Sequence, residues 1–275
     1  MVNKIKSGIE SLDDMAKGGL PAGSAIMILG QPGTGKSTFL REFIGQSIKE
    51  REKCIYVLSN SSPEDVKENM EKFGWDIKYK DVRFILYDGF VRDDTTDIVG
   101  NFNDLIDVSY HIEQLLIKDE KHKIKRIVID ELSYFYLMNK KEDVFKFLQK
   151  VLQTARKTKN TCLIEIQRGI LEDSIVTAIE SLTDGTIELK KESDGKYFKV
   201  SRMEDIEVED KWVLFGIKEG AGIDSDKGPP SLSRWEDMLK GPENAGQKMP
   251  VMRSENFKVG KETTLKKIKN RITGG

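Results

Sequence analysis

A glycine-rich loop stands between an apolar run and a helix-forming segment, and few folds accommodate that order. The apolar run is AIMIL at residues 25–29, which is typical of a strand buried on both faces of a parallel sheet. The loop that follows is GQPGTGKS at residues 30–37, and it fits the pattern G-x-x-x-x-G-K-[ST] at every position. A helix is expected over residues 38–51. This order predicts a phosphate-binding loop.

Each residue type in the loop suits one part of a nucleoside triphosphate. Glycines let peptide N–H groups turn toward phosphate oxygens, and the start of the helix adds its positive dipole end. Lys36 is expected to bind the β- and γ-phosphates and to serve catalysis, Ser37 to bind Mg²⁺, and Thr38 to contact the α-phosphate. The other loop residues expected to contact the nucleotide are Gln31, Pro32, Gly33, Thr34 and Gly35. The sequence therefore predicts binding of ATP with Mg²⁺.

A second apolar run ends in acidic residues. The segment is RIVIDE at residues 126–131, so Asp130 would stand at the carboxyl end of a strand, where open α/β sheets bind their ligands. We expect Asp130 to hold the magnesium ion, through water. The alternative is a surface carboxylate at a strand end.

Apolar runs alternate with helical patterns over residues 24–166, which predicts an α/β fold with a mainly parallel sheet covered by helices. Further strands are expected at Cys54–Leu58, Val82–Leu86, Ile127–Ile129 and Cys162–Ile166. The expected helices are Asp104–Ile117, Glu142–Lys157 and one that Ser62 caps before Pro63. Both cysteines fall in strand runs and are interpreted as core thiols.

The rhythm changes after residue 166. Three alternating segments separated by short polar turns, Thr186–Lys191, Lys196–Ser201 and Trp212–Ile217, predict a C-terminal antiparallel extension of the sheet. From residue 224 the apolar content falls, so we expect one domain at residues 1–223 and a polar tail at 224–275 that is extended or docks on a partner.

Charge balance argues against a general attraction to DNA or to anionic membranes. The chain has 45 Lys and Arg against 46 Asp and Glu, a formal net charge of −1. An acidic loop is expected at residues 88–103, whereas the last twenty residues are basic, so DNA binding is not favoured but stays open. No apolar run approaches the roughly 20 residues that span a bilayer, and a cytoplasmic protein is expected.

Several motifs together resemble those of RecA-type ATPases, most closely the KaiC/RadA branch, which includes the circadian-clock ATPase, the archaeal recombinase paralogues and the archaellum ATPase FlaH. They are SGIESLD at 7–13, GGLPAGS at 18–24, PED…ENM…FGW within 63–75, IDELS at 129–133 and DGTI at 184–187. The resemblance covers about residues 5–217. It implies a RecA-like P-loop NTPase core with ATP as the nucleotide.

Departures from the branch concern hydrolysis. Asn60 and Ser61 stand where the branch usually has two glutamates, one of which orients the attacking water, and neither residue takes up a proton at neutral pH. The branch often has K-x-R-G on a late strand, which reaches a neighbouring subunit's γ-phosphate. Here that stretch keeps one cation, Arg202, but has Glu204 in place of the arginine. An arginine finger is worth roughly 10³–10⁵ in rate, so we expect slow hydrolysis.

Two further residues are candidates for the reaction. Glu131 follows the magnesium aspartate, a place where many P-loop ATPases have a catalytic glutamate, and we hypothesise that it is the general base; the alternative is a charge at the end of the strand. Gln167 ends a strand at the position where RecA-type proteins often sense the γ-phosphate. Its neighbours Glu165 and Arg168 are interpreted as solvated.

Three functions follow as hypotheses. The first is a weak ATPase that couples its nucleotide state to conformation or to partner binding. The second is a FlaH-like scaffold or regulator that binds ATP without hydrolysing it. The third is an accessory ATPase of DNA repair. The resemblance also leaves open a homo-oligomer whose assembly nucleotide promotes, and a protein partner bound through the C-terminal tail.

Overall fold

The computed structural model describes residues 3–59, 61–75, 82–87, 98–102, 104–119, 121, 123–218, 220 and 222–225, with the backbone alone for 98–102. Its strands are β1 Lys4–Ile5, β2 Leu20–Pro21, β3 Ala25–Gly30, β4 Lys53–Leu58, β5 Val82–Tyr87, β6 Ile98–Phe102, β7 Ile124–Ile129, β8 Thr161–Gln167, β9 Gly185–Glu192, β10 Gly195–Met203, β11 Val213–Lys218 and β12 Gly222–Asp224. Its helices are α1 Glu10–Met15, α2 Lys36–Lys49, α3 Pro63–Glu71, α4 Leu105–Ile117, α5 Leu132–Met138, α6 Lys141–Thr158 and α7 Asp173–Leu182.

One ten-stranded sheet organises the fold, in the order β12-β11-β10-β9-β3-β8-β7-β4-β5-β6. From β9 to β6 all neighbouring strands pair in parallel. Beyond β9 the strands β10, β11 and β12 pair antiparallel, and β1 pairs with β2 in a small separate sheet. The predicted α/β class, parallel core and antiparallel extension are confirmed.

Strand β3 shows why helices must cover both faces. Ile26 and Ile28 point into the core that also contains residues of α2 and α3, whereas Met27 and Leu29 point into the core formed with α4, α5 and α6. All six residues of β3 are buried. Side chains of a strand alternate between the two faces, so a continuous apolar run is stable only where both faces are covered.

All four predicted helices are present, most of them with shifted ends. Ser62 caps α3 by accepting a hydrogen bond from the backbone N–H of Asp65, and Pro63 is the first helical residue, as expected. The sequence interpretation missed the short helices α1, α5 and α7. The predicted acidic loop is wrong in part, because β6 lies within it and extends the parallel sheet beside β5. The rest of that segment lies outside the described residues.

The described residues belong to one compact unit, residues 1–229. Strand β12 pairs with β11 and so belongs to the sheet, and its last residue lies one position beyond the predicted domain boundary at residue 223. The predicted tail beyond residue 225 lies outside the described residues. Within the described part of the chain, no helix is both long and apolar enough to cross a membrane.

Candidate functional site

The glycine-rich loop leaves the sheet near its middle. Gly30, the last residue of β3, lies beside Gln167 at the end of β8 and Leu189 of β9. The carboxyl ends of these parallel strands therefore form one edge, and the loop crosses it before α2 begins at Lys36. This is the edge where open α/β sheets bind ligands.

Glycine is required at two loop positions for different reasons. A Cβ atom on Gly30 would lie 2.7 Å from the carbonyl oxygen of Leu189 and 2.8 Å from the hydroxyl of Thr34. Gly35 has a φ of 105°, a conformation that other residues rarely adopt. The Thr34 hydroxyl donates to the carbonyl of Gln31 at 2.8 Å, which closes the loop on itself. The loop has the tight backbone that phosphate binding needs.

Lys36 points back under the loop. Its side chain is buried, and its ammonium donates to the carbonyl oxygen of Gln31 at 3.3 Å. The same Nζ atom lies 3.5 Å from a carboxyl oxygen of Glu165. The cation is thus held within the loop, where the motif requires a lysine for the β- and γ-phosphates.

Glu165 is the site residue that sequence reasoning misjudged. We interpreted it as solvated, but it is 2% exposed, and the Ser37 hydroxyl donates to its carboxyl group at 3.1 and 3.4 Å. Burial and the negative charge of Asp130 raise the pKa of Glu165 to about 8. The signal was in the sequence: a single charged residue stands inside the apolar run of β8, and both faces of that strand are buried.

Asp130 lies just beyond β7 at the same edge. Its carboxyl group is buried and accepts a hydrogen bond from the Tyr56 hydroxyl at 3.0 Å. Burial raises the pKa of Asp130, and hydrogen bonds with Tyr56 and Glu165 oppose that rise.

Glu131 immediately precedes α5 and has a left-handed conformation, with φ 57° and ψ 57°. Such strain in a residue other than glycine is often found at functional sites. One of its carboxyl oxygens is buried and has no hydrogen-bond partner among the described residues. Burial raises the pKa of Glu131, and the positive charge of Lys36 opposes that rise. Glu131 is therefore close enough to the loop lysine for the charge of Lys36 to act on its carboxyl group.

Of the remaining predicted site residues, Gln167 and Thr38 lie near the loop and Arg202 lies far from it. Gln167 is half-buried beside Gly30, and its backbone N–H donates to the Ser133 hydroxyl at 2.8 Å. Thr38 is buried in the first turn of α2. Arg202 lies near the other end of the strands, opposite Thr186, and donates to the carbonyl oxygen of Thr183 at 2.6 Å. It does not reach the loop of its own chain, and a contact with a neighbouring chain stays a prediction.

The residues at this edge fit a nucleotide with magnesium. Mg²⁺ prefers oxygen ligands and is usually bound by one or two protein groups, waters and substrate phosphates. The Ser37 hydroxyl and the Asp130 carboxylate are such groups. Among the described residues, no cluster of three or more histidine, cysteine or acidic side chains could hold a metal ion. A cation here would therefore rely on phosphate oxygens as well.

Comparison with known proteins gives three related results. A UPF0273 protein of Thermotoga maritima is 33% identical over 147 residues, which cover 50% of this chain and 59% of that protein. The circadian clock oscillator protein KaiC of Parasynechococcus marenigrum is 38% identical over 136 residues, which cover 48% of this chain and 26% of that protein. The matched segments thus span less than two thirds of either relative.

A solved structure of a KaiC-like protein from the hyperthermophilic archaeon Pyrococcus horikoshii has the same fold, with a TM-score of 0.65 at 23% identity. The match covers 81% of this chain and 98% of that one. The sequence profile of the family described as "ATPase: KaiC" matches residues 5–226, most of the 275-residue chain. Since both the loop geometry and this match point the same way, the chain belongs to the KaiC family of RecA-superfamily ATPases.

Proposed function

We propose that this chain binds ATP with Mg²⁺ at residues 30–38, hydrolyses it slowly, and couples its nucleotide state to conformation or to partner binding. One observation carries the proposal. Lys36 and Ser37 lie at the same edge of the sheet as Asp130 and Glu131, which follow β7, and the charge of Lys36 acts on both carboxyl groups. These are the group types that phosphoryl transfer uses.

Each side chain has a part in the proposed reaction. Lys36 neutralises charge on the β- and γ-phosphates, and the loop N–H groups fix the phosphate chain. Ser37 and Asp130 would hold Mg²⁺, which when bound neutralises charge on the phosphates. Glu131 accepts the proton of the attacking water. Burial raises the pKa of Glu131, which makes its carboxylate a stronger base.

Slow turnover follows from groups that are replaced or turned away. The Ser61 hydroxyl cannot accept a proton at neutral pH, and its oxygen has no hydrogen-bond partner in the described part of the chain. Arg202 is engaged with the C-terminal end of α7. Glu131 is therefore the candidate base that we retain. Arg202 does not reach the phosphate-binding loop of its own chain.

Two assays test the proposal together. Binding of fluorescent ATP and ADP analogues with Mg²⁺ should be saturable, and phosphate release should stay below roughly 1 s⁻¹, the low end for enzymes. Faster turnover would contradict slow hydrolysis. Tight binding without any phosphate release would favour the non-hydrolysing scaffold, and strong stimulation by single-stranded DNA would favour the DNA-repair alternative.

We also propose that nucleotide promotes self-association of the chain. The RecA-type resemblance implies subunits that share nucleotide, and the missing trans arginine argues that such contacts are weak. Light scattering with and without ATP and Mg²⁺ should show a larger mass with nucleotide. A stable ring in the absence of nucleotide would contradict this proposal.

A further inference from the structure

Glu165 occupies an unusual place for a charged residue. It lies in the middle of the sheet, on a strand paired on both sides with other parallel strands, and it is 2% exposed. Burying a carboxyl group costs free energy unless charge or hydrogen bonds compensate it. Apolar residues fill the positions on either side, Ile164 and Ile166. The site, and not the packing of the sheet, explains a glutamate here.

The groups that compensate Glu165 are those that a nucleotide needs. Its carboxyl group lies 3.5 Å from the ammonium of Lys36 and accepts a hydrogen bond from Ser37 at 3.1 Å. It also interacts with the buried carboxyl group of Asp130. When phosphates engage Lys36 and a cation engages Ser37, Glu165 loses both partners. The carboxylate is then compensated only by positive charge brought into the site.

Acidic side chains outnumber basic side chains at this edge. The carboxyl group of Glu165 lies 3.5 Å from the ammonium of Lys36, and the charges of Asp130 and Glu131 also act on Glu165. Arg41 of α2 acts on Asp130. A nucleotide alone would add further negative charge. A divalent cation reverses this imbalance, because it is the largest local charge in such a site.

We propose that Glu165 is a positioning residue for the divalent cation at Ser37, and that it makes nucleotide binding conditional on that cation. The inference rests on the proposed nucleotide site. Its physical basis is that a carboxylate beside a metal's own ligand favours the cation-bound state and disfavours phosphates that arrive without one. Outer-shell partners of this kind typically change metal affinity by about 10–100-fold.

The test is a Mg²⁺ titration of binding of a fluorescent ADP analogue, which needs no hydrolysis. Glu165→Gln keeps the size of the side chain and removes its ability to carry a negative charge. The Mg²⁺ concentration at half-maximal binding should rise by about 10–100-fold, while ADP affinity in EDTA should not fall. An unchanged Mg²⁺ midpoint overturns the inference. An equal loss of ADP affinity with and without Mg²⁺ also overturns it, since that result would mean that Glu165 only stabilises the loop.

Glu42→Gln is the matched control. Glu42 is another buried glutamate, on α2. Its carboxyl group accepts a hydrogen bond from the backbone N–H of Ile223, and it has no hydrogen bond with a loop residue among the residues that the structure describes. This variant should keep the wild-type Mg²⁺ dependence. Glu165→Asp, which keeps the charge, should shift the midpoint less than Glu165→Gln, and an equal shift would contradict a role for charge.

A measurement on the wild type guards against a variant that fails to fold. ADP affinity should be at least about 10-fold higher with Mg²⁺ than with EDTA. Equal affinities overturn the inference while leaving nucleotide binding intact. Absence of ADP binding under both conditions overturns the proposed function itself, so the two failures are distinguishable.

Discussion

The Nζ atom of Lys36 and a carboxyl oxygen of Glu165 lie 3.5 Å apart, and the two side chains are 5% and 3% exposed. A buried charge is tolerated when a partner of opposite sign compensates it, whereas removal of one partner leaves the other uncompensated. The loop lysine, at the start of α2, is thus held in place by a residue of β8.

Lys36→Met should weaken ATP binding by about 10–100-fold, because a charged hydrogen bond contributes roughly 1.5–3 kcal/mol. Isothermal titration calorimetry with Mg²⁺ would measure the change. Lys49→Met, an exposed lysine in the last turn of the same helix, is the control and should bind as the wild type does. Equal affinities of the two variants would argue against a phosphate contact by Lys36.

Glu131→Gln should leave ATP bound and slow hydrolysis by about 10²–10⁴-fold, since general base catalysis contributes that much. Single-turnover phosphate release and retention of labelled ATP would separate the two effects. Glu142→Gln, an exposed glutamate at the start of α6, should have wild-type kinetics. A wild-type rate in Glu131→Gln would mean that Glu131 is only a charged residue at the end of the strand and not the general base.

Glu42 should make the fold less stable as the pH rises. Burial raises the pKa of Glu42 to about 7 against an ordinary value of 4.5, so between these values the unfolded chain has lost a proton that the folded chain keeps. Stability therefore falls as the pH increases through this window and levels off above it. The loss is on the order of 3 kcal/mol.

Urea unfolding at several pH values between 4.5 and 8 measures that loss. Glu42→Gln should remove this part of the pH dependence, and the exposed Glu10→Gln should retain it. The idea would be abandoned if the wild type and Glu42→Gln lost stability in parallel across the window.

Arg126→Met should destabilise the fold by about 3–5 kcal/mol, the cost of breaking a buried ion pair. Arg126 is fully buried, pairs with Glu50 at 2.5 Å and Glu52 at 3.0 Å, and donates to the carbonyl of Lys6 at 2.6 Å. Thermal or urea unfolding would measure the loss. Lys141→Met breaks an exposed pair and should cost at most about 1 kcal/mol. Similar losses in both variants would refute the role of burial.

Local sequence was sufficient for the loop and for its place in the fold. The pattern of residues 30–37 predicts which residues contact a phosphate, and the apolar run before it requires a sheet covered on both faces. Asp130 could be placed beside the loop for the same reason, since parallel strands end at one edge. These predictions needed only the order of the elements.

Local sequence was insufficient where the role of a residue depends on a strand that is distant along the chain. Glu165 is 128 residues from Ser37 along the chain, and only the pairing of β3 with β8 brings them into contact. Short helices such as α5 and α7 were missed because a few turns carry little periodic signal. Strand β6 was missed because its polar surroundings suggested a loop, although β5 offers it a partner.

The sequence by itself determined that this chain has a phosphate-binding loop on a parallel sheet, because loop chemistry and apolar periodicity are local properties. Tertiary structure alone decided which other groups reach the loop lysine. It buried Glu165 against Lys36 and Ser37 and turned Arg202 toward α7. It also left one carboxyl oxygen of Glu131 with no hydrogen-bond partner among the residues that the structure describes. The reason is that the burial and the electrostatic environment of a side chain depend on residues from strands that are far apart in the chain.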